Sequence, residues 1–166
     1  MNTKRMATLG LLTSISLILF IIELRIPNLS PIPGVKLGLA NIITVYAVFR
    51  FTPKETALIV AARVILGAIF SGNGSALLYS ACGACCCLCG MLLLRNCLPK
   101  KQIWLCSIIG AMLHNIGQIA AAIFVMRSVS VVAYLPILLL TGSVAGLFTG
   151  VCAQLLCSKL PNDIIK

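Results

Sequence analysis

Residues 103–126 read IWLCSIIGAMLHNIGQIAAAIFVM, and the fold class follows from this stretch. At 1.5 Å per residue a helix of this length crosses a hydrocarbon layer of about 30 Å. It carries no charged side chain, so it lacks the polar face a soluble helix of this length would need. Comparable stretches recur from Met1 to Leu160, broken by short basic or Gly/Pro-rich gaps. Composition agrees: 60% of residues are hydrophobic, 10% are charged and the mean hydropathy is +1.10, far from the soluble range. The chain reads as an all-α, polytopic inner-membrane protein.

Working outward, six spans are expected at Met6–Leu24, Leu37–Phe51, Glu55–Phe70, Ala76–Leu94, Ile103–Met126 and Val131–Cys157. They fill the 166 residues with one integral membrane domain, a six-transmembrane-helix bundle, and leave no room for a soluble domain. Lys4 and Arg5 before an apolar run resemble a secretory signal. No small-residue cleavage site follows, however, and Glu23, Arg25 and Pro27 come instead, so the run is taken as the first span. No Gly-x-x-x-x-Gly-Lys motif is present, so ATP-driven work would need partners.

The net charge of +10 is spread one or two residues per connection rather than massed on one face, which argues against nucleic acid. The positive-inside rule accounts for it. With the N-terminus cytoplasmic, Lys4, Arg5, Arg50, Lys54, Arg95, Lys100, Lys101, Lys159 and Lys166 lie inside, against Arg25, Lys36 and Arg127 outside. Both termini are therefore expected in the cytoplasm. On the outer face, residues 25–36 hold three prolines and a glycine, which forbid a continuous helix and favour an extended loop able to act as a lid. On the inner face, Arg50-Phe51-Thr52-Pro53-Lys54 is a tight link, with Pro53 suited to a first helical turn and Thr52 to its cap. Ser71 to Ser75 is either a plain turn or a set of backbone donors.

Cys82, Cys85, Cys86, Cys87 and Cys89 crowd the fourth span. One straight helix cannot wrap four thiolates around a metal, and no histidine stands nearby, so they read chiefly as small packing residues.

Polar groups inside a bilayer are expensive. Arg63, near the middle of the third span, would cost at least about 2.5 kcal/mol in lipid, so it faces protein, water or an anion. A buried pair with Glu23, a set of carbonyls and a ligand anion are all open to it. His114, Asn115 and Gln118 form a polar stripe in the fifth span, suited either to ligand contact or to interhelical hydrogen bonds allowed by Gly110 and Gly117. Lys36 either snorkels to headgroups or meets a ligand, and Asn41 would face inward beneath the lid.

The segments Pro33-Gly34-Val35-Lys36-Leu37-Gly38-Leu39-Ala40-Asn41, Arg63-Val64-Ile65-Leu66-Gly67 and His114-Asn115-Ile116-Gly117-Gln118 together resemble the Gx transporter family, also described as heptaprenyl diphosphate synthase component I. The likeness covers nearly the whole chain. That family is similar to the substrate-binding S-components of energy-coupling factor (ECF) transporters. The resemblance implies a subunit that captures a small molecule outside, while a transmembrane coupling protein and two ATPase subunits drive its release inside. S-components often meet the coupling protein through small residues four apart on the first helix. Here Ala7 is followed by Leu11, and Gly10 with Ser14 is the nearest equivalent.

The family's other description implies prenyl chain elongation, which handles diphosphates with magnesium and clustered carboxylates. Glu23, Glu55 and Asp163 are the only acidic residues and none adjoins another. The chain is therefore expected to be no enzyme, at most an accessory membrane subunit beside one. An ion-coupled carrier would want intramembrane carboxylates, for which Glu23 alone is a thin basis. The expected function is uptake of a small, anionic organic substrate held by Lys36, Asn41, Arg63, His114, Asn115 and Gln118, with no metal or cofactor required. The topology is testable by cysteine-accessibility labelling on a background free of native cysteines. A cysteine at position 2 or 162 should resist an impermeant reagent applied outside, and labelling there would overturn the orientation.

Overall fold

The structure is a computed structural model that describes residues 3–25, 37–72, 74–99 and 102–160. The apolar runs fold into six helices: α1 Thr3–Arg25, α2 Asn41–Arg50, α3 Pro53–Ser71, α4 Gly74–Leu94, α5 Ile103–Met126 and α6 Leu135–Lys159, the last preceded by a 3-10 segment, Val129–Tyr134. Four stretches are long and apolar enough to cross a membrane, namely α1, residues 77–94 of α4, α5, and residues 129–159. The chain is a multi-pass membrane protein.

The other two expected spans differ in kind. A full second span from Leu37 to Phe51 is not what forms, because α2 has only 10 residues and rises about 15 Å, half the hydrocarbon thickness. Residues 37–40 turn instead of coiling. Gly38 sits at φ +70, a left-handed conformation that only glycine adopts freely. The Asn41 N–H donates to the Gly38 carbonyl at 2.8 Å and the Ile42 N–H to Leu39 at 3.1 Å. The third helix has 19 residues, long enough to span, but Lys54, Glu55 and Arg63 keep it from reading as a simple apolar crossing.

Cap chemistry fixes where α3 begins and ends. Thr52 Oγ1 accepts from the Glu55 N–H at 3.4 Å, and the Glu55 carboxylate accepts from the Thr52 N–H at 3.0 Å; with Pro53 in the first turn, this is a reciprocal capping box. Gly72, at φ +64, stops the helix with its N–H on the Ala68 carbonyl, so the outer connection begins as a plain turn.

Three arginines gather at the end where α1 and α3 start and α2, α4 and α6 stop. Arg5 forms a two-pronged ion pair with Glu55, its Nη2 lying 2.9 Å from Oε2. Arg50 Nη2 donates to the Cys157 carbonyl at 2.9 Å and also to that of Leu160. Arg95 Nη1 donates to the carbonyl of Val48 at 3.2 Å. Cations at the last carbonyls of α6 and α2 satisfy groups a helix leaves open and oppose its dipole.

Glycine sets the distances among α4, α5 and α6. A Cβ placed on Gly150 would lie 2.6 Å from the Trp104 Cα, one on Gly146 2.9 Å from the Ile108 Cα, and one on Gly117 2.7 Å from the Cys82 carbonyl oxygen. These helices meet backbone to backbone, a close packing that small residues permit in membranes. The cysteine run serves that packing in part: the sulfur of buried Cys87 lies by Gly110 and that of Cys86 by Gly117, although Cys86, like Cys85 and Cys89, is exposed. Among the described residues no group of three or more His, Cys, Asp or Glu is placed to hold a metal ion.

Gly150→Ala should therefore force α5 and α6 apart and destabilise the protein by about 1–3 kcal/mol. Gly10→Ala, where an added Cβ meets nothing within 4 Å, should be neutral or stabilising by a few tenths to about 1 kcal/mol. Thermal unfolding of the detergent-solubilised variants checks the contrast.

Candidate functional site: a cavity around Arg63

A cavity of about 130 Å³ lies beside the Gly38–Asn41 turn that precedes α2. Its walls come from Phe20 and Glu23 of α1, Gly38 and Asn41 at the start of α2, Arg63 and Gly67 of α3, Ser80 of α4, His114, Asn115 and Gln118 of α5, and Thr141 and Gly142 of α6. A water needs about 10–15 Å³ on this measure, so the space suits a ligand of on the order of ten non-hydrogen atoms. Polyprenyl chains are far too large for it.

Arg63 lies 8 residues beyond Glu55 on α3 and is only 8% exposed. Its Nη1 donates to Asn41 Oδ1 at 3.2 Å. A guanidinium carries five N–H donors, and Asn41 takes one of them. The carboxylate considered as its ion-pair partner is elsewhere: Glu23 Oε1 accepts the Gly38 N–H at 2.5 Å, and among the described residues the ion pair is Arg5–Glu55. Arg63 and Glu23 thus line one cavity with no direct ion pair between them, at a separation where their opposite charges still attract.

The polar stripe of α5 divides its labour. His114 and Gln118 line the cavity, with the imidazole Cε1 and the Gln118 Cγ against Gly83 of α4, whose absent Cβ would lie 2.9 Å from each. Asn115 also borders the cavity, but its Nδ2 donates to the Leu138 carbonyl of α6 at 2.5 Å. Its amide therefore makes the interhelical bond that was the structural option for this stripe. Gly142 makes room for it, since a Cβ there would lie 2.2 Å from Nδ2.

Of the six residues expected at the site, Asn41, Arg63, His114, Asn115 and Gln118 line this one cavity. Lys36 and the proposed lid, residues 26–36, lie outside the described residues. Sequence reasoning treated Glu23 as a partner for Arg63 and as a thin basis for ion coupling, not as a cavity residue, and passed over Phe20, Ser80 and Thr141. Ser80 and Thr141 are small hydroxyls of a kind frequent in membrane helices, and nothing in their spacing marks them as cavity-facing.

The pairing of a buried cation with a semi-enclosed cavity is one that binds small anionic or polar molecules. No curated protein and no solved structure is detectably similar to the chain. The family model of heptaprenyl diphosphate synthase component I matches residues 12–156, and the chain belongs to that family.

Proposed function

We propose that the chain is a non-catalytic membrane subunit that holds a small organic anion in the cavity around Arg63. The observation that carries this reading is Arg63 itself: a guanidinium almost wholly withdrawn from the surface, bordering a space of about 130 Å³, with a neutral amide as its hydrogen-bond partner among the described residues. Burying a charge with so little compensation is costly, and an anionic ligand removes the cost. Asn41, His114 and Gln118 would orient the ligand's polar groups, with Lys36 approaching from the adjoining loop. A catalytic role in prenyl transfer finds no support in the carboxylates. Glu55 is engaged by Arg5 and Thr52, whereas Glu23 lies at the opposite end of the bundle on Gly38, so these two cannot form a magnesium-binding pair.

Two settings would use such a subunit in the bacterial inner membrane. The family's description favours an accessory membrane component of a prenyl diphosphate synthase system, with the soluble partner supplying the chemistry. The cavity favours a second setting, capture of a scarce molecule for import. It lies between mid-depth and the end of the bundle away from the Arg5–Glu55 pair, which the distribution of basic residues would make the outer side. Import would then depend on a coupling protein and two ATPases, as in ECF transporters.

Affinity purification of the native-level tagged chain separates the settings. Recovery of a prenyl diphosphate synthase subunit supports the first, and recovery of a coupling protein with its ATPases supports the second. For the cavity itself, Arg63→Ala should remove a charge-assisted contact worth about 1.5–3 kcal/mol, weakening a co-purifying small molecule by one to two orders of magnitude. Melting should change much less. Unchanged affinity with a large loss of stability would make Arg63 a structural residue and remove it from the site.

A further inference from the structure

Arg63 and Glu23 bracket a single turn of chain. Glu23 Oε1 holds the N–H of Gly38, Arg63 holds the side chain of Asn41, and the Asn41 N–H returns to the Gly38 carbonyl at 2.8 Å. The carboxylate and the guanidinium are thereby fixed at the two ends of one short loop, both on the cavity wall, and they attract across it without closing into a direct ion pair. The wall they share is more apolar than polar and includes Phe20, Val64, Ala68 and Ala145. Glu23 lies toward the mouth of the bundle and Arg63 nearer its middle.

A cavity that took only an anion would gain from having no carboxylate in its wall, because in a low-dielectric site a like charge repels the ligand strongly. Polyanions such as diphosphates would be the worst served. Beyond holding the Gly38 N–H, the carboxylate can meet a positive group on the ligand. Building on the reading of the cavity as a binding site, we infer that its ligand is amphoteric, a small molecule with a carboxylate-like anion for Arg63 and a protonated amine or similar cationic donor for Glu23, separated by a short apolar body.

Isothermal titration of the full-length chain in detergent, with two matched series, tests this. One comprises para-aminomethylbenzoate, para-toluate and para-methylbenzylamine; the other comprises epsilon-aminocaproate, caproate and hexylamine. Isopentenyl diphosphate is added as the polyanion. In at least one series the zwitterion should bind about 10- to 100-fold more tightly than the acid or the amine, the span expected for one charge-assisted contact. Glu23→Gln, which retains an acceptor for the Gly38 N–H, should abolish that advantage while leaving the acid bound. Arg63→Gln should weaken acid and zwitterion alike.

Acids binding the wild-type chain as tightly as zwitterions would overturn the amphoteric ligand and leave the anion-binding reading standing. Tighter binding of isopentenyl diphosphate than of any zwitterion would do the same. Binding by none of the compounds would overturn both. The wild-type comparison decides among these outcomes even where a variant fails to fold.

Discussion

A guanidinium placed partway down a membrane helix must be kept from lipid, and much of this bundle is arranged around that requirement. Arg63 could have been neutralised by Glu23, which lines the same cavity, or capped by a ring of carbonyls. Instead it meets one side-chain amide, from the residue that opens α2. That contact exists because α2 starts late. If Leu37 to Ala40 continued the helix, its extra turn would extend the column toward the region the cavity occupies. The left-handed Gly38 prevents this, and Glu23 secures the resulting turn through the Gly38 N–H. A short helix, a glycine and a carboxylate on another helix together make the space beside the charge.

The opposite end of the bundle is built on another rule. There the helix termini are joined by arginine side chains: Arg5 to the capping carboxylate of α3, Arg50 to the last carbonyls of α6, and Arg95 to carbonyls at the end of α2. In sequence these cations read only as markers of the cytoplasmic side. The structure gives each of them a second role, since a carbonyl left open at a helix end near the membrane is expensive. Charge bias and helix capping thus draw on the same residues.

How much of this was legible in the sequence depended on whether a feature was local. The helical class, the spans of α1, α4 and α5, the Thr52–Pro53 start of α3 and the use of Gly110 and Gly117 for close packing followed from hydropathy, cap chemistry and residue size. The truncation of α2 did not, because residues 37–51 are mostly apolar and hydropathy has no term for a backbone that turns at Gly38. Gly142, Gly146 and Gly150 recur every fourth residue, a readable small-residue stripe that the sequence reading did not single out. The site was legible as a set of polar residues in apolar surroundings, and five of them do converge. What could not be read was the division of labour, in which Asn115 turns to a carbonyl of α6 and Glu23 takes a backbone N–H, because both partners are distant in sequence.

The cavity's walls also differ in how they can yield. On one side α4, α5 and α6 approach through glycines until backbone atoms touch, so any separation loses dispersion contacts along whole helices. On the other side α1 meets α3 through the Phe20 ring, 2.9 Å from where a Cβ on Gly67 would lie, and through the Arg5–Glu55 pair at the far end. A ring swings about two torsions, and an ion pair at one end of two helices acts as a pivot. The α1–α3 wall is therefore joined by side chains rather than by touching backbones, and the carboxylate of Glu23 and the guanidinium of Arg63 stand on those two helices.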